Sequence, residues 1–163
     1  MSSAKFSRYL LIFGNILLVA GVFIPWMILT SSMSGLPSVQ FVSPGSIIWT
    51  TILSNPAIEN GSSLIVPSLI YFGAVLVVVG LSIGLMIGRV RRGRTVQIVA
   101  IAEVSTGICG LWGLLAAAVL PTALSLGSPY PDVSLTFGLP LVILGALLTL
   151  PGLMGTSQAQ MAQ

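Results

Sequence analysis

Four long apolar stretches alternate with shorter polar ones along the chain. The apolar runs cover about residues 9–29, 64–88, 96–120 and 133–153. Each has the roughly 20 apolar residues that one helical crossing of a bilayer needs. Residues 89–94, between the second and third runs, hold four of the six basic side chains: Arg89, Arg91, Arg92 and Arg94. An arginine at the bilayer centre is unfavourable by at least about 2.5–3.5 kcal/mol. The cluster must therefore stay in water or among headgroups, and the runs on either side turn back into the membrane. The other two basic residues, Lys5 and Arg8, precede the first run, whereas the remaining loops carry only Glu59 and Asp132. The excess of positive charge on cytoplasmic loops then places both termini and the basic turn in the cytoplasm. The expected fold is an all-α membrane protein, a single four-transmembrane-helix bundle over residues 1–155, followed by a disordered polar tail at 156–163.

A cleaved signal peptide is the rival reading of the first run, which has a basic start and small residues at Ser31, Ser32 and Ser34. Signal-peptide apolar cores span about 7–15 residues, and this run is longer. Pro25 and Trp26 mark its far end, where tryptophan favours the membrane interface. The longest polar segment, residues 30–63, is extracytoplasmic in this threading. In it Val39 and Phe41 alternate with Ser38 and Gln40, the period of an extended strand. Ser43 before Pro44 is a helix start, a hydroxyl cap followed by proline at the first helical position. Ile48, Trp49, Ile52 and Leu53 then share one helical face up to Asn55 and Pro56. Residues 44–54 are expected to form a short amphipathic helix on the interface, or a lid packed on the helix ends, and the two readings are compatible. Trp26 and Trp49 are the expected interfacial residues. Asn60, Gly61 and Ser62 match the glycosylation triplet, which means nothing in a prokaryote.

Glycine recurs with helical spacing. Gly73, Gly80, Gly84 and Gly88 fall on one face of the second span, and Gly138, Gly145 and Gly152 on one face of the fourth. Such seams let a neighbouring helix approach closely. The chain also overlays on itself. A shift of 65 residues brings Phe72, Gly73, Gly80 and Leu85 onto Phe137, Gly138, Gly145 and Leu150. A shift of 86 brings Arg8, Ile12, Gly21 and Trp26 onto Arg94, Ile98, Gly107 and Trp112. A duplicated helical hairpin and chance matching among few residue types both explain this.

Composition narrows the functions. The chain has 163 residues, of which 55% are hydrophobic and 6% charged, with a mean hydropathy of +1.08. Soluble domains carry about 25% charged residues, so these few charges cannot cover a water-facing surface. The net charge of +3 does not suggest nucleic acid, because it sits beside membrane spans. With no histidine and the single cysteine Cys109, neither a catalytic triad nor a metal cluster is expected. No catalytic residue, cofactor or metal is predicted, and the chain does not read as an enzyme. Cys109 reads as a small packing residue.

One polar constellation remains. Glu103 lies nine residues past Arg94, about 13 Å along a helix rising 1.5 Å per residue. Asn15 lies seven past Arg8 and Ser82 seven before Arg89, so the three are expected at similar depth, with Thr149 as a fourth candidate. A carboxylate within a span is a functional hypothesis by default. The alternatives are that Glu103 snorkels to the headgroups, bonds to Asn15 and Ser82, or pairs with an arginine of the basic turn. The basic turn itself serves topology, and anionic lipid is its candidate ligand, at about 1 kcal/mol per charge.

The end of the first span, Phe23, Ile24, Pro25 and Trp26, resembles the Pro-Trp ending of small uncharacterised prokaryotic four-helix membrane proteins. The resemblance covers the four-span outline and this one motif and implies no activity. Claudins share the outline, but their outer segment carries a Gly-Leu-Trp motif and a cysteine pair. Here that segment has Trp49 and no cysteine, and Gly110, Leu111 and Trp112 lie inside the third span, so the chain is not claudin-like. The expected role is a multi-pass cell-membrane protein of structural or accessory kind, associating with lipid, with other membrane subunits or with itself. The alternative is a small transporter or channel component using Glu103.

Overall fold

The computed structural model describes residues 3–31, 38–53, 62–87, 94–127 and 132–161. In chain order the elements are α1 (Ser3–Phe23), β1 (Met27–Ser31), β2 (Ser38–Val42), α2 (Pro44–Leu53), α3 (Ser62–Met86), α4 (Thr95–Gly127), β3 (Asp132–Leu135) and α5 (Gly138–Met161). Four of these helices are long and apolar enough to cross a membrane: their apolar stretches are Lys5–Phe23, Val66–Met86, Thr95–Val119 and Gly138–Ala159. They form a bundle in which α5 lies between α1 and α4, and α3 packs mainly on α4.

The all-α expectation needs one correction. A three-stranded antiparallel sheet of order β2-β1-β3 closes one end of the bundle. Residues 27–29 were expected inside the first span, but the helix stops at Phe23, because the residue before Pro25 is sterically pushed out of the helical region. The chain then runs extended, with Met27 opposite both Val42 and Leu135. The fourth helix accordingly starts at Gly138 rather than near 133, since Asp132–Leu135 is the third strand. The third helix runs past Pro121 to Gly127. Backbone groups that a proline frees in such a helix find other partners in the bundle. The C-terminal tail is helical to Met161 and not disordered, with Thr156 and Ser157 buried.

Other local expectations match the structure. The alternating residues form β2, with Val39 and Phe41 exposed. Helix α2 starts at Pro44, and its cap is reciprocal: Ser46 N donates to Ser43 Oγ at 3.0 Å and Ser43 N to Ser46 Oγ at 2.9 Å. Helix α2 lies over the end of α1, where a Cβ at Gly45 would sit 2.8 Å from the carbonyl oxygen of Val22. Trp49 points away, 64% exposed. The basic turn apart from Arg94, as well as Gly88, Asn60 and Gly61, lies outside the described residues.

The tightest helix pair is α1 with α5, running antiparallel. An imagined Cβ at Gly145 would meet Leu18 N at 2.9 Å and Gly14 O at 3.0 Å, and one at Gly152 would meet Leu11 N at 2.6 Å. Gly138 abuts the carbonyls of Ile24 and Pro25, and Gly155 abuts Ser7. Backbone thus lies on backbone over the whole length of the pair, and the start of α1 meets the end of α5 at the end opposite the sheet. The seam of α3 behaves differently. Cβ atoms at Gly73 and Gly80 would have nothing within 4 Å, so among the described residues no helix covers them, while Gly84 is half-buried. The two glycine series overlaid by the 65-residue shift therefore do not share a packing role.

Substituting Gly145→Leu forces a side chain into backbone and is expected to lower stability by at least about 1–3 kcal/mol. Gly80→Leu is expected to stay within about 0.5 kcal/mol of the parent, as for surface changes. Thermal unfolding of the two variants in detergent measures the contrast, and equal losses would refute the assigned helix pairing.

Candidate functional site: a buried polar layer

Between the sheet end and the opposite end, the bundle core divides into two apolar clusters. The larger, near the sheet, includes Leu18, Val22, Trp26, Tyr71, Val78, Cys109, Val142 and Ala146. The smaller comprises Leu11, Leu85, Val99, Ala102 and Leu153. Each long helix places a buried polar residue between its members of the two clusters, and α4 places two, Ser105 and Thr106. Asn15 lies between Leu11 and Leu18, Ser82 between Val78 and Leu85, Thr106 between Ala102 and Cys109, and Thr149 between Ala146 and Leu153. Contacts across the helices agree with this level. A Cβ at Gly14, beside Asn15, would sit 2.7 Å from Thr149 N, and one at Gly110 would meet Ala146 at 3.2 Å. Thr106 and Thr149 each lie one turn beyond that second contact, further from the sheet.

The layer comprises Asn15, Ser82 and Thr149, together with Ser105 and Thr106. Glu103 lies one turn nearer the basic end, beside Ala102 of the smaller cluster, and is half-buried. Thr106 escaped notice because a single threonine in an apolar helix carries no local signal, and only the two clusters that bracket it reveal its level.

The hydrogen bonds within the layer are mostly local. Thr106 Oγ1 donates to Ala102 O and Thr149 Oγ1 to Gly145 O, both at 2.7 Å. Asn15 Nδ2 donates to Leu11 O at 2.8 Å. These back-bonds let a polar side chain sit inside an apolar bundle without a partner helix. Two atoms are not satisfied in this way: Asn15 Oδ1 and Ser82 Oγ are buried with no hydrogen-bond partner, as is Thr156 Oγ1 nearer the end of α5. Buried polar atoms left unpaired cost about 1–3 kcal/mol each. The layer is neutral and rich in free acceptor lone pairs. By itself it can accept hydrogen bonds or solvate a small polar species, but it contains no nucleophile paired with a base. Among the described residues no group of three or more His, Cys, Asp or Glu could hold a metal ion.

A second polar constellation ties the sheet to the bundle. Trp26 was expected at the headgroups, but it is 3% exposed and belongs to the core. Its Nε1 donates to Gly21 O at 2.6 Å, satisfying a carbonyl that the last turn of α1 leaves without a helical partner. Its ring meets the edge of Tyr71 at a centroid distance of 5.1 Å and 76°, and the Tyr71 hydroxyl donates to Leu18 O at 3.0 Å. The carbonyl of Pro25 accepts from Thr136 Oγ1 and from Gly138 N. Cys109 is free and fully buried in the same cluster.

Removing an unpaired buried hydroxyl should not destabilise. Ser82→Ala is expected to leave stability unchanged or to raise it by up to about 1–2 kcal/mol, read from thermal unfolding in detergent. A loss of more than about 1 kcal/mol would show that Ser82 is bonded after all. No family model, curated protein or solved structure matches this chain.

Proposed function

We propose that this protein is an integral membrane bundle that acts as a structural or accessory interaction subunit. The carrying observation is the contrast between its interior and its surface. The α1–α5 seam is filled, and the hydroxyls of Thr106 and Thr149 are spent on their own helices. Outward, Gly73 and Gly80 of α3 and Gly107 of α4 face open space, where another helix can approach the backbone closely. The lipid bilayer is the solvent that four spans of this hydropathy fit. Charge supports the threading: both termini and the basic turn on the cytoplasmic side, with the sheet, α2 and the exposed Trp49 on the outer side.

A second reading, a small transporter or channel component, draws on the unpaired Asn15 Oδ1 and Ser82 Oγ and on Glu103 one turn away.

Co-purification from mild detergent is expected to yield a stoichiometric partner or a defined oligomer. Gly80→Leu and Gly107→Leu are expected to remove that association without lowering the melting temperature, and retention in both variants would sink the proposed surfaces. Vesicles containing only this protein are expected to show no ion flux. Robust flux abolished in a folded Glu103→Gln protein would promote the transporter reading instead. Threading is checked with single cysteines at Ser62 and Gly93 in a background lacking Cys109. Ser62 is expected to react with an impermeant thiol reagent on intact cells and Gly93 to be protected. The reverse pattern would overturn the topology.

A further inference from the structure

The bundle is closed tightly between α1 and α5 but only sparsely between α1 and α3. The gap is a groove of about 310 Å³, walled by Ile12, Ile16 and Val19 of α1 and by Val79, Ile83 and Met86 of α3, with Asn15 at its floor. The floor does not make the groove polar, because Asn15 bonds back to Leu11 O and its Oδ1 is buried. The apolar walls are turned outward: Ile12, Ile16, Val19 and Ile83 are each about 40–55% exposed. From Ile12 to Val19 the groove runs about 10 Å along the helix, within the roughly 15 Å depth of one hydrocarbon leaflet.

Its mouth is charged. Residues one turn apart on a helix share a face, so the groove stripe of α1 continues from Ile12 through Arg8 to Lys5, both exposed. On the opposite wall Met86 precedes Arg89 by three residues in the sequence. Acidic residues do not balance these cations, since the three acids of the chain are Glu59, Glu103 and Asp132 and none lies on α1 or α3. An apolar slot that fits within one leaflet, opening under two cations, has the chemistry of a phospholipid site with an anionic headgroup.

We propose that the α1–α3 groove binds one anionic phospholipid, with an acyl chain lying between Ile16 and Ile83 and its phosphate held by Lys5 and Arg8. The site rests on the membrane-embedded reading above. It borders the glycine face of α3, since Ile83 lies one turn from Gly80, and it lies at the basic end of the bundle. The lipid completes the seam that α1 and α3 leave open, as α5 completes the other side of α1.

The test is native mass spectrometry of the detergent-purified full chain with added phosphatidylglycerol or phosphatidylcholine of identical acyl chains. The parent is expected to retain one phosphatidylglycerol with roughly tenfold preference over phosphatidylcholine. The double substitution Lys5→Gln/Arg8→Gln is expected to abolish the preference, and Ile16→Trp, which fills the groove, to abolish retention of both lipids. All these side chains are exposed, so an unchanged melting temperature certifies the fold of each variant. Equal retention of the two lipids by the parent, unaltered retention in Ile16→Trp, or an equal effect of Arg94→Gln would each overturn the proposal. A chain that does not fractionate with membranes at all would instead overturn the reading on which the site rests.

Discussion

The contact of α1 with α5 at backbone distance is the constraint on which the rest of this structure depends. In lipid, apolar side chains gain little by moving from acyl chains to another helix, so association relies on close packing and hydrogen bonds. Gly14 on one helix and Gly138, Gly145 and Gly152 on the other let backbone meet backbone, and Gly21 makes room for Val142. The first and last helices of the chain are joined in this way, and α3 and α4 fill the remaining sides. Because the seam extends from Pro25 to Ser7, it sets the register of the bundle along its whole length.

That register has consequences at both levels where polar groups meet the core. At the sheet end it brings Gly138 under the carbonyl of Pro25, which places Thr136 to bond the same oxygen and β3 to pair with β1. Residues far apart in the chain thereby close the end of the bundle with a sheet, and the break in α1 at Pro25 is compensated by Trp26, Thr136 and Gly138. Deeper in the core, the register sets Thr149 against Gly14 and so aligns the polar layer across the helices. The layer separates two apolar clusters that would otherwise be continuous. Because the layer's hydrogen bonds are made within each helix, the register is held by the glycine contacts of α1 and α5 and not by the layer itself.

The same geometry distinguishes the three faces of the molecule. The α1–α5 side is sealed by glycine, the α1–α3 side is open and bordered by cations, and the α3 and α4 surfaces carry uncovered glycines.

The sequence by itself determined what local and solvent physics control. A bilayer demands apolar length, so four spans follow from hydropathy. A hydroxyl before a proline caps a helix through its own neighbours, so α2 was legible at Ser43 and Pro44. Alternation marked β2. Only the tertiary structure decided the rest, because it depends on partners distant in the chain. Residues 27–31 are apolar enough to extend a span, and they become a strand because Val42 and Leu135 lie on either side of Met27. Gly73 and Gly80 have the same spacing as Gly138 and Gly145, yet only the second pair has a helix against it, and spacing cannot say which seam is filled. Trp26 has the composition of an interfacial anchor and is a core residue, because Gly21 O and Tyr71 await it inside. Thr106 belongs to the polar layer, with Glu103 one turn away on the same helix, and only the apolar clusters packed on either side mark that level.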